Sequence, residues 1–167
     1  MTQRMLFEGR VVVTGSTITE LPCPTHAATL YQPWAWLVAT GMKPLENRPK
    51  GFWRRNFRGW FWIHAGARIS VHEAERAAAL ARTNGVTSLP PEVMLPHGAI
   101  IGMARVTGCL DVPDPGSLPD GWRMEGKLGF VLAEARPLKT PVPARGYQCF
   151  WRVPEDVRAL LKAAEFE

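Results

Sequence analysis

The sequence predicts a single α+β domain, and three observations lead there. At 167 residues the chain is long enough to hide roughly two-thirds of its unfolded surface around one core. Its 15 glycines and 15 prolines imply many turns and short strands, which argues against a helical bundle. Short alternating or β-branched runs recur along the chain, while the strongest helical pattern is confined to residues 71–84.

Residues 6–13 carry β-branched side chains ending at Thr14-Gly15, so a strand or hairpin arm is expected there. Residues 16–27, with Pro22 and Pro24, read as a connecting loop. Residues 28–31 form a short buried strand that feeds a helix opening at Pro33, with Gly41 just past its end. Trp34, Leu37 and Val38 share one face of that helix and Trp36 lies opposite. Residues 44–48 are extended, which puts Glu46 and Arg48 on one side, able to pair. In the strand over residues 60–65, Phe61 and Ile63 face the core, and His64 faces the side able to line a pocket.

Ser70-Val71-His72-Glu73 has the capping-box pattern ahead of the helix over residues 71–84. Ala74, Ala77, Ala78 and Ala81 make its buried side, Glu75, Arg76 and Arg82 its exposed side, and Gly85 its end. A proline-punctuated loop over residues 86–98 precedes a strand over 99–110, with Ile100, Ala104 and Val106 on one face. Residues 113–120 are a turn-rich connector. Strands over 128–134 and 144–153 complete the sheet, and a short helix over 155–164 closes the chain.

Composition is that of a globular protein, 46% hydrophobic and 21% charged. No apolar run approaches the roughly 20 residues of a membrane span, and residues 1–15 lack the apolar core of a secretory signal. A cytoplasmic location without membrane association is expected. The cysteines Cys23, Cys109 and Cys149 are odd in number and far apart, which fits reduced thiols. Cys23 and His26 have ligand-like spacing, but one such pair is half a zinc site, so neither metal nor cofactor is expected.

Charge is the most informative feature. The net charge is +5, yet residues 47–72 alone hold six cations and no acid. Those cations are Arg48, Lys50, Arg54, Arg55, Arg58 and Arg68, interleaved with Phe52, Trp53, Phe57 and Trp60. A localised basic patch points to an anionic partner, and aromatic and guanidinium planes are what unpaired bases stack on. Lys43, Glu46 and Arg48 fall within six residues just past Gly41, where charge and turn chemistry meet the aromatic stretch.

Several spaced motifs resemble the ASCH domain family. They are Gln32-Pro33-Trp34-Ala35, Gly41-x-Lys43-x-x-Glu46-x-Arg48, Arg58-Gly59 and Ile63-His64-Ala65, followed by Gly98 to Gly102, Gly129 to Leu132, Pro137-Leu138 and Arg145-Gly146. The resemblance divides the chain into an extension over residues 1–27, an ASCH domain over 28–153 and a terminal helix over 154–167. It implies a PUA-like fold, a small mixed β-barrel flanked by helices. Tyr31 stands where relatives often carry Trp or Arg, and residues 49–56 look longer and more basic than the usual link. Among similar proteins, small bacterial acetylcytidine amidohydrolases use a lysine that Lys43 matches by motif. Their threonine three residues on is Glu46 here, and no residue aligns with their catalytic glutamate.

Three readings stay open at this level. The first is binding of RNA or a nucleotide-like small molecule through Gln32, Trp34, Arg48, Trp53, Arg54, Arg55, Arg58 and His64, with Lys43 and Arg48 contacting phosphate or carbonyl oxygens. The second is hydrolysis of a modified nucleoside or of RNA, with Lys43 and Glu46 as catalytic residues, which requires a depressed lysine pKa that Glu46 would oppose. The third is a structural ion pair in a protein that docks on a protein partner. The first two predict that Lys43, Glu46, Arg48 and His64 converge on one concave site flanked by Trp34 or Trp53.

Overall fold

A 16-residue strand, Leu128–Pro143, and a 12-residue strand, Ala99–Leu110, run antiparallel through the middle of the sheet and set its curvature. The computed structural model describes residues 11–14, 17–111 and 120–167. In chain order the strands are β1 (Val11–Thr14), β2 (Thr17–Glu20), β3 (His26–Leu30), β4 (Leu45–Arg48), β5 (Gly59–Ala65), β6 (Ala99–Leu110), β7 (Leu128–Pro143) and β8 (Phe150–Arg152). The helices are α1 (Trp34–Ala39), α2 (Val71–Thr83) and α3 (Glu155–Ala163). β1 and β2 pair as a hairpin, while the other six strands form a mixed sheet ordered β4-β7-β6-β5-β3-β8. Only the β3–β5 pair is parallel within that sheet. Among the described residues the result is a half-barrel with three helices, the expected α+β, PUA-like architecture.

Both faces of the sheet are core. Phe61 and Ile63 of β5 join the larger apolar cluster with α1 and α2, while Trp62 joins a second cluster with Ile100, Met103, Trp151 and Leu161 of α3. Alternation along β5 therefore separates two buried sides, which corrects the expectation of one core face. Ile100 also falls opposite Ala104 and Val106, because the ladder shifts register between Ile100 and Gly102 and a one-residue slip exchanges faces.

Other boundaries shift for physical reasons. Thr17–Glu20 is a strand where a loop is predicted, since the β-branched run Thr-Ile-Thr suits pairing with Val11–Thr14. β3 begins at His26, two residues early. β7 continues past residue 134 through Pro137, Pro141 and Pro143, tolerated because the β6–β7 ladder is repeatedly interrupted. Residues 144–149 leave the sheet, with Cys149 at φ 60°, so only Phe150–Arg152 pairs in that region. A 3-10 turn, Glu92–Met94, sits in the predicted loop. The expectations for residues 6–10 and 113–119 lie outside the described residues.

α2 starts as predicted, with the Ser70 side chain accepting from the Glu73 N–H. Glu73 does not complete the box, because Trp34 and Arg76 take up its carboxylate instead. The helix ends at Thr83, and Gly85, at φ 80°, turns the chain so that Val86 N–H bonds back to the Ala81 carbonyl. Ala77 and Ala81 are fully buried against the core, Ala74 and Ala78 partly so.

Candidate functional site

A cavity of about 700 Å³ opens beside α1 and between the ends of β3, β4 and β5. Gly41, at φ 77°, lets the chain leave α1 and fold back, so that Lys43 N–H bonds to the Leu37 carbonyl and the lysine side chain turns inward. Lys43 is 2% exposed. Its Nζ donates to the Leu45 carbonyl at 2.6 Å and to Glu46 Oε2 at 2.5 Å, and it sits 5.4 Å from the centre of the Trp34 ring. The other Glu46 oxygen faces Arg48 Nε at 3.0 Å, so the predicted pair across the strand is present. Arg48 also donates to the Thr29 carbonyl at 3.1 Å and lies over the Trp53 ring at 5.1 Å.

Burial pushes the Lys43 pKa below its ordinary value, and the contact with Glu46 pulls it back only in part. Sequence reasoning weighted Glu46 as the stronger influence; the enclosure of the ammonium group reverses that order.

His64 is buried and bonded at both ring nitrogens. Nε2 donates to the Ala144 carbonyl at 2.9 Å, so Nδ1, 3.2 Å from Thr29 Oγ1, is the acceptor in the neutral ring. Trp151 Nε1 donates to the same Thr29 oxygen at 3.0 Å, which leaves the hydroxyl proton free to point at His64. Desolvation lowers the His64 pKa, in agreement with this neutral arrangement. Gly146 lies against the ring: a Cβ there would stand 2.2 Å from His64 Cε1, so only glycine fits.

The structure thus brings Trp34, Lys43, Glu46, Arg48 and His64 to one concave surface. It does not bring the other expected residues into the lining. Gln32 is buried in a structural role, donating to the Pro96 carbonyl and accepting from Trp36 N–H. Trp53 is 3% exposed and packs with Phe61, Phe130 and Phe150, so it backs Arg48 from behind rather than flanking the cavity. Arg54, Arg55 and Arg58 are exposed outside it. Arg55 and Lys50 pair with Asp111, and Arg58 donates to backbone carbonyls of its own loop.

Several lining residues escaped the sequence reading. Glu73 and Arg76 arrive from the start of α2, where Glu73 accepts from Trp34 Nε1 and from Arg76, each at 2.9 Å. Asn47 is fixed by Trp122 O and Met124 N–H. Lys127 and Arg145 come from the far half of the chain. The one available signal was Glu73 itself, an acid at the mouth of a helix whose capping partner could be outcompeted. In all, six cations (Lys43, Arg48, Arg68, Arg76, Lys127, Arg145) and two carboxylates (Glu46, Glu73) line the cavity. Among the described residues no group of three or more His, Cys, Asp or Glu side chains is placed to hold a metal, and no helix is long and apolar enough to cross a membrane.

A half-barrel with a cationic cavity at the ends of its strands defines the class, and the sequence places the chain within it. The sequence matches the ASCH domain over residues 29–142, and the chain belongs to that family, which is generally linked to RNA binding. The ASCH protein of Zymomonas mobilis is similar in structure, with a TM-score of 0.50 at 14% identity over 84% of this chain and 95% of that one. A tyrosine-to-phenylalanine mutant of that protein gives 0.50 at 13% identity over 84% and 98%. At these identities the likeness establishes the fold alone. No curated protein matches the chain at a significant level.

Proposed function

We propose that the cavity binds RNA by seating one unpaired nucleotide. The observation that carries this reading is the lining itself: six cations against two carboxylates around a space of about 700 Å³, within the range of ligand pockets. Donors dominate, so the site suits a ligand rich in acceptor oxygens, while Glu46 and Glu73 supply acceptors for a base amino group. Trp34, 6% exposed and pinned through its N–H to Glu73, gives the cavity a rigid apolar wall. Membership of a family linked to RNA binding supports the same reading. Fluorescence anisotropy with labelled single-stranded RNA tests it. Affinity should fall with salt at a log–log slope of about −0.7 for each phosphate contact, and Arg48→Ala or Lys127→Ala should weaken it. Absence of binding at low salt would end the proposal.

A second reading, hydrolysis of a modified nucleoside or of RNA, is favoured by one observation, the lowered pKa of Lys43. A neutral amine acts as base or nucleophile, so turnover would rise with pH as Lys43 loses its proton. Lys43→Arg keeps a positive charge but not the ability to deprotonate, and would abolish turnover. An acetylated cytidine and a single-stranded RNA are the substrates to assay; wild-type turnover of neither eliminates this reading.

A further inference from the structure

Every exposed Phe, Tyr or Trp ring among the described residues borders this cavity. Tyr31, Phe52 and Tyr147 are 42%, 44% and 49% exposed, and all three line it. They come from distant segments: the β3–α1 junction, the basic loop and the loop after β7. The remaining exposed large apolar side chains are aliphatic or methionine. One aromatic ring left in water is ordinary, but packing gives no reason for all of them to gather on one rim. Tyr147 is also oriented: the Arg145 guanidinium lies over its ring at 5.5 Å, and Trp151 meets it edge-on at 5.5 Å.

The geometry points to a stacking rim for single-stranded RNA, in which the nucleotides either side of the seated one lay their bases on Tyr31, Phe52 and Tyr147. The inference rests on the nucleotide-in-cavity reading and adds the class of ligand, an unpaired strand rather than a free nucleotide or a duplex. Aromatic faces stack on any base, and cations between them meet the connecting phosphates. Arg68, Arg76, Lys127 and Arg145 line the same cavity, Arg145 against the Tyr147 ring, and supply the cations. A docking surface for a protein would instead be depleted of charge at its centre.

The test uses the full chain, a fluorescein-labelled single-stranded RNA of about 12 nucleotides, the annealed duplex, and a mixture of ribonucleoside 5′-monophosphates as competitor. Phe52→Ala and Tyr147→Ala should each weaken oligomer binding by about 5- to 150-fold, the usual loss of one stacked base. Competition by the monophosphates should weaken far less than oligomer binding, because the floor formed by Lys43, Glu46 and Arg48 is untouched. Tyr147→Phe should keep oligomer affinity, which separates the ring face from the hydroxyl. Phe52→Leu, which preserves apolar bulk without a π face, should fail as alanine does and stands in for it should alanine disturb the loop.

Oligomer affinity indifferent to both alanine changes, or duplex binding equal to that of the single strand, overturns the rim. Monophosphates that bind while the rim variants leave the oligomer unaffected overturn the rim but not the cavity. A protein that binds neither oligomer nor monophosphates overturns both.

Discussion

Two clusters of charge border one another in this protein, and they relate to water in opposite ways. In the cavity floor Lys43 and Glu46 are buried, and Arg48 is largely so, each holding another. In the basic loop Lys50 and Arg55 are about two-thirds exposed, at 68% and 65%, and share Asp111. Positive charge in water is screened and cheap, so the loop's ion pairs add little to stability. Charge in the floor has surrendered its hydration, and only its partners compensate. The lesson is that density of charge along a sequence does not locate the charge that matters structurally; enclosure does.

The sharpest way to break that contrast is to remove the carboxylate shared in the floor. Glu46→Ala leaves Lys43 enclosed without its counter-ion and Arg48 without its carboxylate partner. Breaking a buried pair in this way costs about 3–5 kcal/mol, and for a domain of this size each kcal/mol lowers the midpoint by about 2–4 °C. Urea and thermal denaturation should both show the loss. Arg54→Ala, in the loop, should leave the midpoint where it was. Equal effects at the two positions would dissolve the distinction.

Gly146→Ala tests the wall instead of the floor. The added methyl collides with His64 and with Thr29 Oγ1, 2.9 Å away, so the loop over residues 144–149 or the imidazole must move. Overpacking of this kind costs about 1–3 kcal/mol. Ligand affinity should fall as well, since Arg145 and Tyr147 ride on the same loop. A variant with unaltered stability would mean that the wall yields freely.

A weaker effect separates the two regions by pH. The folded-state pKa of His64 is lowered by burial, so between that value and the unfolded value near 6.5 the unfolded chain binds more protons. Stability from this group is therefore complete above about pH 6.5 and is lost as pH falls toward the folded pKa. His64→Gln should flatten that limb of a stability–pH profile. Charge changes in the loop, which holds no histidine between residues 49 and 58, should leave it unaltered.

What could be read from the sequence follows the same division between local and distant. β5, α2 and α3 were legible because alternation, a capping serine, a terminal glycine and first-turn acids act within a few residues. Lys43, Glu46 and Arg48 were legible for the same reason, since two short spacings and one turn bring them together. Arg76, Lys127 and Arg145 were not, because their meeting depends on how the fold places α2 and the segments at both ends of β7 around the cavity. Trp53 was misplaced by composition: aromatics interleaved with arginines suggest a stacking surface, but Phe61, Phe130 and Phe150 offered it a core to fill. Phe52, its neighbour, found none and stayed exposed.

The smallest stability effect belongs to the basic loop, and it asks whether that loop touches the ligand at all. Reversing Arg54 and Arg55 to glutamate should leave the thermal midpoint nearly unchanged, because both side chains are in solvent and Asp111 keeps Lys50. If RNA leaving the cavity crosses this loop, each lost phosphate contact removes about 0.7 from the magnitude of the salt slope, so the double reversal should flatten the slope by up to twice that. The matching change inside the cavity, Arg48→Ala, should weaken binding at every salt concentration, because Arg48 is positioned by Glu46 and Trp53 rather than by diffuse attraction. A flattened slope with preserved high-salt affinity would make the loop a phosphate track and the cavity the source of specific contact. An unchanged slope would confine recognition to the cavity and its aromatic rim.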